Sequence, residues 1–246
     1  MGFKDHFSAH ADVYASARPD YPAALFDFLA ANCAGHDLAW DCATGNGQAA
    51  LPLTRYFRRV IASDASAAQL QLAAPHPAID YCHFEATVPD LKSESVDLVC
   101  VAQALHWFET EKFFDSVNRV LKPAGVLAVW SYGLMQIDAR LDGLVQELYE
   151  GVLGPYWPPE RRLLERGYID IEFPFMAVTA PGFEIRKHWN QRQVIAYLES
   201  WSACRRYRDE HGINSLARFM DRFSQAWGSA LEKEVVWPLT VNVRRK

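Results

Sequence analysis

Leu38-Ala39-Trp40-Asp41-Cys42-Ala43-Thr44-Gly45-Asn46-Gly47-Gln48-Ala49-Ala50 reads as strand, tight turn and helix: an apolar run, then small residues at 43, 45 and 47, then a helix-compatible segment. Glycines let the backbone bend and admit a ligand where a Cβ would collide, and free N–H groups at the start of the next helix face an anionic or polar group. The turn is therefore expected to bind a nucleotide. Small residues at this spacing also occur in ordinary strand-to-helix turns, so a second feature is needed. Arg59-Val60-Ile61-Ala62-Ser63-Asp64 supplies it, an apolar strand ending in a carboxylate 19 positions beyond Gly45. In a nucleotide-binding βαβ unit, an acidic residue about 20 positions past the glycines accepts hydrogen bonds from ribose hydroxyls. Asp64 fits that role, and it is also placed to cap a helix beginning near Ser66.

At 246 residues, half of them hydrophobic, the chain suits one large α/β domain, alone or with a small cap. Its net charge of -5 gives no basic field for nucleic acid. Arg244-Arg245-Lys246 is expected to be a solvated tail. The five cysteines, at 33, 42, 82, 100 and 204, contain no C-x-x-C pair and read as small buried hydrophobes of a reducing compartment. The N-terminus lacks the apolar core of a signal peptide, and no run reaches the roughly 18 apolar residues of a membrane span. A cytoplasmic protein with no membrane partner is expected, its oligomeric state left open.

Residues 1–22 carry Phe3, Phe7, Tyr14, Arg18, Pro19, Tyr21 and Pro22, too aromatic for a plain tail, and should pack as a lid. A helix is expected over 23–31, strands over 78–84 and 96–102, a helix over 111–120, a turn over 121–125 and a strand over 126–132. This alternation implies a parallel sheet with helices on both faces, its ligands at the carboxyl ends of the strands. Beyond Gly133, helices are expected over 137–149, 191–203 and 213–227, and strands over 183–189 and 235–243. Pro238 suits a strand near the sheet edge.

Gly45-x-Gly47-x-x-Ala50 also fits the dinucleotide fingerprint, which keeps an NAD-dependent oxidoreductase in view. Asp41 argues otherwise. A carboxylate two residues before Ala43 would repel a pyrophosphate, yet it can accept from the ammonium group of an amino-acid ligand. With Tyr14-x-x-x-Arg18-Pro19-x-Tyr21-Pro22, Asp41 to Gln48, Asp64, Ser95 to Val99, Ala102-Gln103-Ala104-Leu105-His106-Trp107-Phe108 and Arg119 to Gly125, the chain resembles the class I S-adenosylmethionine-dependent methyltransferases. The likeness is to their small-molecule branch, similar to trans-aconitate methyltransferase, and it spans nearly the whole chain. It departs in having Ala43 and Ala124 where the family has glycine, and alanine at 43 requires an ordinary φ.

The resemblance implies a Rossmann-like, seven-stranded, mostly parallel sheet with helices on both faces and a helical cap. It implies a single methyltransferase domain: a lid at 1–22, a cofactor-binding core at 23–133, and cap helices with the final antiparallel strands at 134–246. S-adenosyl-L-methionine is the implied cofactor, held by Asp41, Ala43, Gly45, Gly47, Asp64, Ala65, Glu85, Ala86, Gln103 and Ala104. The partner is a small-molecule substrate, with Tyr14, Arg18, Trp107, Tyr132, Trp201 and Tyr207 as pocket candidates, although aromatics at helical spacing also build cap cores. Methyl transfer from a sulfonium is an in-line displacement that needs alignment and dryness more than a base. A carboxylate acceptor is already ionised at pH 7, whereas a hydroxyl or carbon acceptor needs a base, for which His106 is the nominee. His106 and Trp107 read equally as a structural pair at the strand end. No metal site is indicated. A cofactor-binding protein without transfer activity is the alternative outside enzymes.

Overall fold

Pro22 ends the entry segment and starts α1 (Ala23–Ala31), and the strands and helices then alternate as the apolar pattern demands: β1 (Leu38–Cys42), α2 (Ala50–Leu53), β2 (Arg59–Asp64), α3 (Ala67–Leu70), β3 (Ile79–His83), β4 (Val96–Ala102), α4 (Thr110–Val120) and β5 (Leu121–Tyr132). The computed structural model describes residues 18–246. Tyr14 and most of the expected lid lie outside the described residues. The five strands are parallel in the order β3-β2-β1-β4-β5.

Side chains of these strands alternate between two cores, as a period of two requires. Ala39, Leu98, Cys100, Val126, Ala128 and Trp130 face Leu25, Phe26 and Leu29 of α1. Trp40, Val99, Val101, Leu127 and Val129 face Phe113, Val117 and Val120 of α4. At the amino ends of the strands, buried Asp97 accepts from the N–H groups of Asp37 (2.9 Å) and Leu38 (3.0 Å) and from Lys122 Nζ (2.8 Å).

The second half adds α5 (Ala139–Gln146), α6 (Arg161–Glu165), β6 (Met176–Val178), β7 (Phe183–Trp189), α7 (Gln191–Glu199), α8 (Ser202–His211), α9 (Ala217–Trp227) and β8 (Lys233–Arg245). β8 runs antiparallel between β5 on one side and β6 and β7 on the other. With β6 the sheet has eight strands among the described residues, one more than the expected seven. The cap helices close a third core around Leu141, Leu148, Tyr197, Trp201, Phe223 and Trp227.

Several expectations are corrected. Arg244, Arg245 and Lys246 are no solvated tail: Arg245 pairs with Val126 and Arg244 with Leu127, and Lys246 Nζ donates to Leu121 O at 2.9 Å. Cationic ends mask a strand whose pattern is set by its partner. The helix expected over 191–203 breaks because Trp201 turns extended (φ -67, ψ 136) to reach the aromatic core. The helix expected from 213 starts at Ala217, because Asn214 Oδ1 first accepts from Leu216 N–H at 2.9 Å in a local turn. The turn at 121–125 is a kink inside β5, with Ala124 at φ 62 and a register shift opposite Val96 and Leu98. Ala43 does not take an ordinary φ either; it sits at 56°. Both alanines hold left-handed conformations that glycine adopts without strain.

Candidate active site

Strand order reverses between β1 and β4, so their carboxyl ends open a crevice, and the loop after β1 forms its floor. Gly45 and Gly47 have φ of 59° and 91°. A Cβ on Gly47 would also come within 2.7 Å of Tyr81 Oη. Gly45 N–H donates to Asp64 Oδ2 at 2.9 Å, Ser66 N–H donates to Oδ1 at 2.8 Å, and Thr44 N–H donates to Ser63 O at 2.9 Å. Ser66, not Asp64, is the N-cap of α3, its hydroxyl accepting from Gln69 N–H. Asp64 thus fixes the loop from the end of β2. A carboxylate has about four lone-pair sites, so this role is compatible with a further bond to a hydroxyl.

Asp41 was expected to meet a ligand ammonium, but its side chain reaches no surface. Oδ2 accepts from Thr44 Oγ1 at 2.5 Å and Oδ1 from Cys100 Sγ at 3.4 Å. Burial pushes the carboxyl up to about 6, against the hydrogen bonds from Thr44, Cys100 and the Ala50 backbone. Asp41 therefore braces the loop from within.

After β2, Ala65 O lies 3.0 Å from His83 Nε2, and after β3, Glu85 is exposed with its C=O accepting from Val88 N–H at 3.1 Å and Ala86 packs on the core beneath. After β4, Gln103 adopts φ 60 and its N–H donates to Trp130 O at 2.9 Å. Its buried Nε2 has no acceptor among the described residues. A donor orphaned inside a protein costs about 1–3 kcal/mol. A carboxylate from a bound amino-acid group fits this position. Ala104 is buried, and its C=O accepts from Trp107 N–H at 2.9 Å.

His106 lies in the turn Leu105–Trp107, buried, with Nδ1 3.2 Å from Tyr168 Oη and its ring 4.5 Å from that of Trp107. Burial, with Arg161 nearby, lowers the imidazole to about 3. Arg18 Nη1 donates to Tyr132 Oη at 3.5 Å, and its guanidinium lies 5.2 Å from the Tyr197 ring. Gln48 Nε2 donates to Arg18 O at 3.5 Å, tying the entry segment to the glycine loop. Two further pocket candidates pack among cap aromatics. Trp201 sits in the cap core against Tyr149 and Tyr197, and Tyr207 packs on Tyr156 and His211. Both are cap aromatics of the kind helical spacing usually signals.

Tyr168, Tyr197, Tyr81 and Arg161 are missing from the sequence reading. Arg161 opens the short helix α6 and Tyr168 follows it, in a segment whose sequence shows no periodicity, and the partner of Tyr168 lies 62 positions away in the chain. Among the described residues no helix is long and apolar enough to cross a membrane, and no His, Cys, Asp or Glu group could hold a metal ion.

A parallel sheet that opens at its switch point onto a glycine loop, braced by a strand-end carboxylate, defines the nucleoside-binding α/β class. Residues 40–129 match a family model described as a methyltransferase domain. A Dictyostelium discoideum protein classed as a methyltransferase is 36% identical over 204 residues, covering 81% of this chain and 78% of its own length. An uncharacterized methyltransferase of Mycobacterium bovis is 30% identical over 201 residues, covering 80% of this chain and 77% of its own. A solved structure from Anaeromyxobacter dehalogenans, classed as a type II methyltransferase, is 38% identical with a TM-score of 0.86, covering 93% of this chain and 97% of that one. The chain belongs to the class I S-adenosylmethionine-dependent methyltransferases. The oxidoreductase reading of the loop is set aside.

Proposed function

We propose that this methyltransferase acts on a carboxylate oxygen of a small organic acid, with S-adenosylmethionine bound across the carboxyl ends of β1, β2 and β4. The state of His106 carries the reading. An imidazole lowered to about 3 is neutral at pH 7 but a weak base, poorly matched to removing a proton from a hydroxyl or carbon. A carboxylate with a pKa around 4 arrives already ionised and needs no such step. The cofactor supplies a methyl group on a sulfonium, and the chain supplies position and dryness.

Asp64 receives the ribose hydroxyls, Ala43, Gly45 and Gly47 line the loop, and Ala65, Glu85 and Ala86 border the adenine. Gln103 Nε2 donates to the amino-acid carboxylate beside Ala104, and Asp41 offsets the cationic end from within the core. Arg18 draws the acceptor's negative charge, with Tyr132 and Trp107 along its path. The test is the product's chemistry together with His106→Gln. An ester hydrolysed by mild alkali, and a rate within about tenfold of wild type, are expected, because general base catalysis is worth about 10²–10⁴-fold where it operates. An alkali-stable product, with a thousandfold loss at unchanged cofactor affinity, overturns the carboxylate acceptor.

A further inference from the structure

The contact between His106 and Tyr168 joins residues 62 positions apart, and the carboxylate reading leaves it without a task. Tyr168 is almost fully buried, sits at φ 61 directly after Gly167 at φ 63, and brings its phenol under the turn that carries His106. α6 packs against that same turn, so the cap holds the pair together from one side.

Hydrogen accounting fixes the direction of the bond. A phenol has one hydrogen to donate, and a neutral imidazole has one donor nitrogen and one acceptor nitrogen. Among the described residues, Nδ1 of His106 is the acceptor within reach of the Tyr168 O–H. If Nδ1 carried the hydrogen it would donate to the phenol oxygen, and the phenol hydrogen would be left without an acceptor among the described residues, at the penalty of an unmade buried bond. If Nδ1 is bare, the O–H donates to it and both groups are satisfied. Burial also pushes the phenol well above its ordinary range, so it keeps its hydrogen at any physiological pH.

We propose that Tyr168 is a positioning residue that locks His106 in the tautomer with hydrogen on Nε2, making His106 a hydrogen-bond donor to the acceptor. This rests on the carboxylate reading for what the donor meets, since an Nε2–H can hold one oxygen of a carboxylate while the other is methylated. The tautomer itself does not depend on that reading. Among the described residues the charged group acting on the imidazole is Arg161, which disfavours its protonation; Arg161 is itself paired with Glu165 at 3.8 Å and donates from Nε to the Tyr149 hydroxyl at 2.6 Å.

The test is nitrogen-15 NMR of histidine-labelled protein, assigned by the loss of one signal in His106→Gln. In wild type, His106 should show a bare Nδ1 and a protonated Nε2, with no titration from pH 5 to 8. In Tyr168→Phe the tautomers should mix and the ring should titrate at higher pH than in wild type. The acceptor's KM should rise about tenfold with kcat within about threefold, the size of one lost hydrogen bond. A protonated Nδ1 in wild type overturns the proposal, as does a tautomer unchanged by Tyr168→Phe. Should that variant fail to fold, the wild-type spectrum alone decides. An alkali-stable product with the expected tautomer would overturn the carboxylate reading and leave Tyr168 in its role.

Discussion

Asp64 and Asp41 stand at the ends of neighbouring strands, yet their surroundings give them opposite work. Asp64 is half-buried and accepts from two backbone N–H groups, so Asp64→Ala should loosen the loop and also lower S-adenosylhomocysteine affinity about ten- to a hundredfold, measured by calorimetry. Unchanged affinity with a lowered melting temperature would confine Asp64 to the loop. Asp41 loses its proton near pH 6 in the folded protein. A carboxylate ionised above that pH attracts a cationic ligand, so affinity for S-adenosylmethionine should rise as pH passes upward through about 6, and Asp41→Asn should flatten the curve. Stability follows the linkage signs. Asp41, raised, favours the folded state below its unfolded value of 3.8 and loses this as pH rises through about 6. His106, depressed, contributes above its ordinary 6.5 and loses this as pH falls toward about 3. Spacing made Asp64 legible in the sequence; nothing there marks Asp41 as inaccessible, because its cover comes from Thr44 and from Cys100 on another strand.

At the scale of elements, β1, β2 and β4 begin and end where their apolar runs do, since burial leaves little choice of register. The left-handed alanines were not legible, because alanine looks ordinary wherever it stands. Ala124 at φ 62 kinks β5 and donates its N–H to Lys246 O at 3.2 Å. Ala124→Gly should raise stability by about 1 kcal/mol, seen as a higher urea midpoint with an unchanged slope. An unchanged or lower midpoint would mean that the kink relaxes without strain. Lys246 also reaches the end of α4, its Nζ donating to Asn118 O and Leu121 O. Such contacts join distant parts of the chain and leave no local pattern to read.

Across the whole molecule, Arg18 links the entry segment, the end of β5 and cap helix α7 through Tyr132 and Tyr197. Cofactor should slow hydrogen exchange over residues 7–21, most of which lie outside the described residues; equal exchange with and without saturating cofactor would make that segment a static part of the fold. The placement of β8 has a consequence of another kind, for how the protein is made. β6 and β7 leave the ribosome before β8, and in the finished sheet both pair with β8 alone. While the cap is being synthesised, β5 therefore shows an open edge in which Val126 to Tyr132 are all destined for burial. A bare apolar edge is an invitation to pair with a neighbouring nascent chain. Overcrowded synthesis should thus yield aggregates seeded at β5, and growth conditions that slow initiation should recover more folded enzyme than those that slow only the passage through β8.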